Sequence, residues 1–144
     1  MKRASAFALL STVVIAGETK IALKELPAAV QKAVAEQSKG ATVRGFTKEV
    51  ENGKTEYEAE LTVDGHTKDI SFDASGKILA VEEEVAIDTI PAPARAAIQK
   101  AAAGGQLQRV ESVRENGKSF FEASIRKGAK NSEIRVDANG AKVK

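Results

Sequence analysis

Two stretches of the chain are almost alike, EVENGKTEYEAEL at residues 49–61 and VRENGKSFFEASI at residues 113–125. They belong to a longer match, in which residues 26–80 align with residues 90–144 without a gap and 14 of the 55 positions are identical. Many of the identities fall on turn residues such as Asn-Gly and Asp-Ala. Because self-similarity at a fixed spacing indicates a repeated structural unit, we predict that one unit is duplicated.

Each copy begins with the pattern of an amphipathic helix. Apolar residues recur at the spacing i, i+4, i+7 and i+8, which forms one stripe on a helix of 3.6 residues per turn. Prolines stand in the first turn, where backbone N–H groups have no partner inside the helix, and glycines follow the stripe. The stripes are Leu26, Val30, Ala33 and Val34 in the first copy and Ile90, Ala94, Ala97 and Ile98 in the second.

Four strand-like segments follow each helix and are separated by turn residues. Asn52-Gly53 and Asn116-Gly117 are typical of two-residue type I′ hairpins, which need positive φ at both central positions. The predicted fold is therefore α+β, with two tandem repeats, each one helix followed by a four-stranded antiparallel meander sheet with the helix on one face. The predicted boundaries are residues 17–25 for an N-terminal lead, 26–86 for the first repeat and 87–144 for the second.

The hairpin register predicts which side chains of the first unit share a face. With Asn52-Gly53 at the turn, Phe46 faces Ala59, and the next turn pairs Ala59 with Ile70. The face with these residues is apolar, so we expect the helix to cover it. The opposite face is acidic and is expected to be solvated; it carries Glu49, Glu56, Glu58, Glu60, Asp69, Ser71 and Asp73.

The second unit has a different uncovered face. There Val113 and Phe120 are predicted to form a directly opposed apolar pair, with Arg109, Arg126 and Arg135 around them. An exposed aromatic ringed by arginines has the composition of an interface centre. The alternative is that Val113 and Phe120 pack against the linker, the other unit or a second molecule.

The N-terminus has the pattern of a cleaved secretory signal at residues 1–16. Lys2 and Arg3 precede an uncharged run of 13 residues, and Val14-Ile15-Ala16 supplies the small residues before a cleavage site. A span of the membrane needs about 20 apolar residues, so the run is too short for an anchor and the mature chain is expected to have no transmembrane span. We expect cleavage near Ala16 and a periplasmic or extracellular protein.

Charge and composition exclude several classes of partner. Removal of Lys2 and Arg3 leaves 20 basic and 20 acidic residues, so the mature chain has no net positive field for nucleic acid. The chain has no cysteine, which excludes disulfides and cysteine-ligated metals. Glycines occur at turns and form no phosphate-binding loop, so we expect no cofactor.

No catalytic arrangement is recognisable, and we expect no enzymatic activity. His66 is the only histidine, and its place beside the Asp64-Gly65 turn predicts an exposed residue with no triad around it. One histidine argues against a zinc site, and no metal ligands are assigned. Glu56, Glu58 and Glu60 point the same way, but nothing in the sequence would raise the pKa of one of them as acid catalysis requires. The acidic run 81–88 could attract calcium, although no EF-hand spacing supports a site.

The pattern LPAAV…ENGKTEYEAEL…DISFDASGKILAVE, followed by IPAPARAAI…ENGKSFFEASI…SEIRVDANGAKV, resembles the bacterial PepSY-like family related to beta-lactamase-inhibitor proteins. The resemblance covers nearly all of the mature chain. It implies an exported pair of helix-plus-sheet units without enzymatic activity. In the inhibitor relatives the two sheets line up and their concave face grips an enzyme; PepSY domains are associated with propeptides that restrain peptidases. No inhibitory residue of the family can be matched to a position here.

The sequence thus predicts an exported, non-enzymatic binding or inhibitor-like module that holds an unidentified protein or peptide on the sheet face opposite the helices. The predicted partner-binding residues are Phe120, Val113, Arg109, Arg126 and Arg135. The alternative function is a small-ligand or calcium sensor that uses Glu56, Glu58 and Glu60 on the acidic face.

Overall fold

The structure, a computed structural model, describes residues 17–144, so the predicted signal at residues 1–16 lies outside the described part. The chain forms one antiparallel sheet of eight strands with two α-helices, an α+β architecture. The strands are β1 (Glu18–Ile21), β2 (Thr42–Glu51), β3 (Lys54–Val63), β4 (His66–Phe72), β5 (Ile78–Glu84), β6 (Gln106–Glu115), β7 (Lys118–Lys127) and β8 (Lys130–Val136). The helices are α1 (Ala28–Gln37) and α2 (Ala92–Ala102).

The strands follow one another across the sheet in chain order, from β1 to β8. The two predicted four-stranded sheets, whose continuity the sequence leaves open, are joined into one sheet, since β5 pairs with β6 from Ala80↔Glu115 to Glu84↔Glu111. Two differences from the prediction concern the ends. Part of the predicted lead, β1, is an extra strand on β2, and the predicted fourth strand of the second half is only an isolated bridge between Val136 and Lys142.

The predicted hairpin register is confirmed. Phe46 faces Ala59, Ala59 faces Ile70, and Val113 faces Phe120. The turn residues Asn52 and Asn116 have φ of 51° and 52°, as the type I′ turn requires. Because side chains alternate along a strand, this register decides which residues of all eight strands share a face.

The two helices pack on one face of the sheet and form two apolar clusters. Val30 and Val34 of α1 pack on Ala59, Leu61, Ile70 and Phe72, as the helix stripe predicts. Ala94 and Ile98 of α2 pack in the same way on Val110, Ala123 and Val136. Full burial of one such side chain contributes about 1.5–3 kcal/mol, so these clusters hold both helices on the same side.

Glycines in the two Asp-Ala turns touch the helix ends. Gly76 has φ of 82°, and a Cβ there would lie 2.6 Å from the carbonyl oxygen of Ala29. Gly140 has φ of 79°, and its Cβ would lie 2.6 Å from the carbonyl oxygen of Pro93. Only glycine combines this backbone conformation with so close an approach. The close contact between a turn glycine and the helix backbone thus fixes the position of α1 and, in the same way, of α2.

Candidate functional site

The candidate site is the sheet face opposite the helices, which we call the open face. Both helices pack on the other face, so the open face consists of sheet side chains alone within residues 17–144. It runs without interruption across the β5–β6 junction. Its central side chains are Thr47, Glu58, Glu60, Asp69, Ser71, Ala80, Glu82, Glu84, Glu111, Val113, Phe120, Glu122, Ser124, Glu133, Arg109 and Arg135.

One row of carboxylates crosses three neighbouring strands. Glu60 on β3 faces Asp69 on β4, and Asp69 faces Glu82 on β5. Arg44 lies at the start of this row, with its Nη2 donating a hydrogen bond of 2.8 Å to Asp69 Oδ1 and its Nη1 3.7 Å from Glu60 Oε2. One guanidinium therefore serves two carboxylates of the row.

A second row lies beside the first and crosses the junction of the two halves. Glu84 faces Glu111, Glu111 faces Glu122, and Glu122 faces Arg135. Arg135 Nε donates a hydrogen bond of 2.6 Å to Glu122 Oε2, and Glu122 is only 2% exposed. Arg109 Nε lies 3.1 Å from Glu111 Oε1. Two arginines thus hold two buried glutamates in place.

The pKa values on this face are strongly raised. Burial, followed by the negative charges of Asp69 and Glu82, raises the pKa of Glu58 to about 9. Burial and the charges of Glu111 and Glu122 raise the pKa of Glu82 to about 8. Burial raises the pKa of Glu111 to about 7 and that of Asp69 to about 6, although Arg109 and Arg44 respectively oppose these two shifts. At neutral pH several of these side chains are therefore protonated for much of the time.

The expectation of a solvated acidic face, on which nothing raises a pKa, is wrong. Thr47 and Ser71 on this face are buried, and Glu58 titrates far above an ordinary glutamate. The physical reason is the wide sheet, because long side chains from adjacent strands exclude water from one another. Glu56, at the edge of the face, also has a raised pKa, from burial and from the charge of Glu115.

The expectation that Phe120 is an exposed aromatic is also wrong. Phe120 is 4% exposed and its partner Val113 is 1% exposed. The guanidinium of Arg135 lies over the Phe120 ring, 5.2 Å from its centroid, a cation–π arrangement. Val113 lies between Glu82 and Phe120 in the strand ladder. Phe120 therefore lies beneath the guanidinium of Arg135, and Val113 is buried beside it.

The predicted partner-binding residues fall into two groups. Val113, Phe120, Arg109 and Arg135 lie together in the buried centre of the open face. Arg126 lies near the end of β7, is exposed, and donates from Nε to the carbonyl oxygen of Gly128 at 3.1 Å. Their assignment to partner binding, like that of Glu56, Glu58 and Glu60 to the alternative function, stays a prediction.

Sequence reasoning missed Arg44 and Glu82 as members of this face. Arg44 lies at the register shift between Val43 and Gly45, which strict alternation does not anticipate. Glu82 joins the second half only through the β5–β6 ladder, for which neither strand carries a local signal. His66 is exposed at the start of β4, as predicted.

Within residues 17–144, no group of three or more histidine or acidic side chains is arranged so that it could hold a metal ion. No helix of this part is long and apolar enough to cross a membrane.

Comparisons with known proteins give the fold. A Bacteroides eggerthii protein described as periplasmic matches with a TM-score of 0.68 and 17% identity over 83% of this chain and 86% of the other. A DUF2874 family protein from Bacteroides uniformis matches with a TM-score of 0.66 and 18% identity over 82% and 86%. A protein from Bacteroides fragilis described as BLIP-like matches with a TM-score of 0.60 and 21% identity over 81% and 82%. No protein-family model and no curated protein sequence matches the chain.

These solved structures share the α+β fold of this chain, including one described as BLIP-like. At identities of 17–21% the likeness is one of fold. Function resides in sites that vary on a common fold, so it must be argued from the open face.

Proposed function

We propose that the protein is an exported, non-enzymatic binding module that holds a protein or peptide partner on the open face. The observation that carries the proposal is the division of the sheet into two faces. One face is filled by the helices, whereas the other is a continuous surface of eight strands that bears buried charged groups. Buried charge is costly for stability alone, so its concentration on one face favours a role in recognition.

The inferred partner surface is centred on the second half of the sheet. Arg109 and Arg135 are held there by Glu111 and Glu122, and the guanidinium of Arg135 lies over the Phe120 ring. Arg126 extends the surface toward its end and is exposed to a partner. Phe120 acts in this proposal by supporting Arg135, since its ring is covered.

We also infer that the two halves are tandem PepSY-like units and that the module is inhibitor-like and periplasmic. The 64-residue spacing of the matching stretches supports the first inference, as do the equivalent contacts of Gly76 and Gly140 with the helices. The fold neighbours described as BLIP-like and as periplasmic agree with the second.

The calcium-sensing alternative is less well supported. The acidic face attracts cations in principle, but the residues 17–144 offer no arrangement of ligands for a metal ion. Thermal unfolding with and without calcium tests it, because a ligand that binds only the folded state raises the melting temperature. An unchanged melting temperature would exclude this function.

Site-specific photo-cross-linking tests the binding function. A photoreactive residue at Thr62, on the open face, should cross-link one defined protein of the exported fraction, whereas the same residue at the exposed Lys32 of α1 should not. Replacing Arg126 with glutamate should weaken the Thr62 cross-link. The proposal is refuted if the Thr62 position captures nothing, or if both positions capture the same protein equally.

A further inference from the structure

A cleft of about 380 Å³ opens at one end of the second half of the sheet. It lies where the loop after α2 meets the end of β7 and the turn that follows β7. Ligand sites in proteins commonly have volumes of about 300–1,000 Å³, so the cleft is large enough for a small molecule. Its lining residues are Gly104, Gly105, Gln106, Arg126 and Gly128.

Glycines leave the backbone of this cleft uncovered. Gly104 and Gly128 have φ of 78° and 59°, and a Cβ at either would meet no atom of the described residues within 4 Å. Gly105 lies tightly against β7 instead, since a Cβ there would lie 2.7 Å from the carbonyl oxygen of Arg126 and 2.5 Å from Lys127 Cγ. Because only glycine allows so close an approach, the loop backbone comes to lie directly beside Arg126.

Arg126 is the charged side chain among the lining residues. Its Nε donates a hydrogen bond of 3.1 Å to the carbonyl oxygen of Gly128, which holds the guanidinium at the turn. Within residues 17–144, Arg126 forms no ion pair, whereas Arg44, Arg109 and Arg135 each contact a carboxylate. The two terminal nitrogens of this exposed guanidinium are therefore available to an anion, which they can bind in a bidentate manner.

The charge around the cleft is positive. Lys127 and Lys130 face each other at the first pair of the β7–β8 hairpin, and directly opposed like charges destabilise a sheet. The segments 99–106 and 123–132, which form the cleft, contain four basic residues and no acidic one. The C-terminus of α2 adds about half a unit of negative charge, which the three cations of the hairpin outweigh.

The equivalent positions of the first half, 64 residues earlier, lack these cations. The duplicated unit therefore folds without them, so the fold does not require them. Their presence in one half favours a role in binding, since function resides in sites that vary on a common fold. The equivalent residues are Thr62 for Arg126, Val63 for Lys127, Asp64 for Gly128 and His66 for Lys130.

The number of cations indicates which anion fits. A carboxylate carries one negative charge, for which the guanidinium alone suffices. A phosphate monoester carries a charge of about −1.5 to −2 at neutral pH and has three strong acceptor oxygens, so it matches a guanidinium together with two lysines. The cleft is larger than a bare phosphate ion, which leaves room for the group that the phosphate esterifies.

We propose that this cleft binds the phosphate group of a phosphate ester, with Arg126 as its bidentate partner and with Lys127 and Lys130 supplying further positive charge. The site goes beyond the proposed function, because it requires no protein partner. A soluble phosphate ester and the headgroup of an anionic phospholipid present the same chemical group, and experiment separates these two sources.

Titration with glycerol 3-phosphate at neutral pH, followed by amide NMR spectra, tests the proposal. The signals of Gly104, Gly105 and Gly128 should shift and reach saturation. The signals of Gly40 and Gly65, in the corresponding loops of the first half, should stay in place and serve as an internal control. Glycerol, which lacks the phosphate, should shift none of these signals.

The variant Arg126→Thr introduces the residue that the first half has at the equivalent position. It should bind glycerol 3-phosphate at least about tenfold more weakly, because two charge-assisted hydrogen bonds are lost. The matched control is Arg114→Gln, which removes an equal charge near the opposite end of β6 and should change the affinity less than about twofold. The spectra themselves verify that each variant is folded.

Four results would overturn the proposal. They are the absence of a saturable shift, shifts of equal size at Gly40 and Gly104, equal weakening by Arg126→Thr and Arg114→Gln, and binding of acetate as tight as that of glycerol 3-phosphate. The last result would show that the cleft accepts any small anion.

Co-sedimentation with phosphatidylglycerol vesicles distinguishes the two sources of phosphate once the titration is positive. Retention on the vesicles that Arg126→Thr abolishes identifies a lipid headgroup. No retention, or retention that the variant keeps, identifies a soluble ester.

The phosphate site and the binding function fail independently. The titration contains no partner protein, and photo-cross-linking at Thr62 is carried out without glycerol 3-phosphate. A negative titration therefore refutes the phosphate site and leaves the binding function standing, whereas a failure to cross-link at Thr62 does the reverse.

Discussion

Replacement of Glu82 by glutamine should flatten the pH dependence of the free energy of unfolding. In the folded protein, burial and then the charges of Glu111, Glu122 and Asp69 raise the pKa of Glu82 to about 8, against the opposing effect of Arg135. In the unfolded chain the pKa of a glutamate is about 4.3. Because the folded value is the higher one, the contribution of Glu82 to stability is fully present below about pH 4 and is lost as the pH rises toward 8.

The expected magnitude follows from the two pKa values. Each pH unit between them removes about 1.4 kcal/mol, so the step from about pH 5 to pH 7 removes about 2–3 kcal/mol through Glu82 alone. Glutamine does not ionise, so the variant lacks this loss. Relative to the unmodified protein, Glu82→Gln should therefore gain about 2–3 kcal/mol over the same pH step.

Urea unfolding followed by far-ultraviolet circular dichroism measures this difference, since the chain has no tryptophan for fluorescence. The control is Glu83→Gln on the same strand, whose carboxylate is 42% exposed and lies 3.8 Å from Lys68 Nζ. Its pH profile should run parallel to that of the unmodified protein. If Glu82→Gln also gives a parallel profile, Glu82 is not held neutral by its surroundings and the argument fails.

Three further predictions concern packing and ion pairs. Gly76→Ala should lower the free energy of unfolding by about 1–3 kcal/mol more than Gly53→Ala, because both glycines have positive φ but only Gly76 touches a helix backbone; urea titration compares them. Arg135→Met should destabilise by about 3–5 kcal/mol, since it leaves Glu122 buried without its 2.6 Å partner, and a second change, Glu122→Gln, should recover much of this; no recovery would count against the pair. Ile98→Ala should cost about 2–5 kcal/mol in thermal or urea unfolding because the side chain is fully buried, and a cost below about 1 kcal/mol would show that α2 packs loosely.

The local structure could be predicted from the sequence because its signals lie within short segments. Asn52-Gly53 and Asn116-Gly117 identify the hairpins, and the hairpins determine the pairing of Phe46 with Ala59 and of Val113 with Phe120. These contacts span few residues, and they depend on the turn residues and on the alternation of side chains between the two faces of a strand. The alternation of side chains therefore also predicted which face the helices cover.

The candidate site could be predicted only in part, because its properties depend on contacts distant along the chain. The pairing of Glu82 with Val113 joins two strands that are separated by α2, and it brings the acidic side chains of the two halves of the open face next to one another. Burial of Phe120 depends on where the long side chain of Arg135 comes to rest, which strand alternation does not determine. Alternation assigns a residue to a face of a sheet, but the water left around it depends on all its neighbours.

The β5–β6 ladder has a consequence for exchanging halves between proteins of this fold. At present Glu82 is opposite Val113, and a slip of one residue would place Glu82 opposite Ser112 or Arg114 instead. Because neighbouring residues point to opposite sides, that slip would turn Glu111 and Glu122 toward the helices and bring Val110 to the surface. A chimera can therefore accept new loops and new helices at this junction. Its β5 and β6 must, however, pair so that the open-face residues of one strand stay opposite the open-face residues of the other, which keeps a single recognition surface.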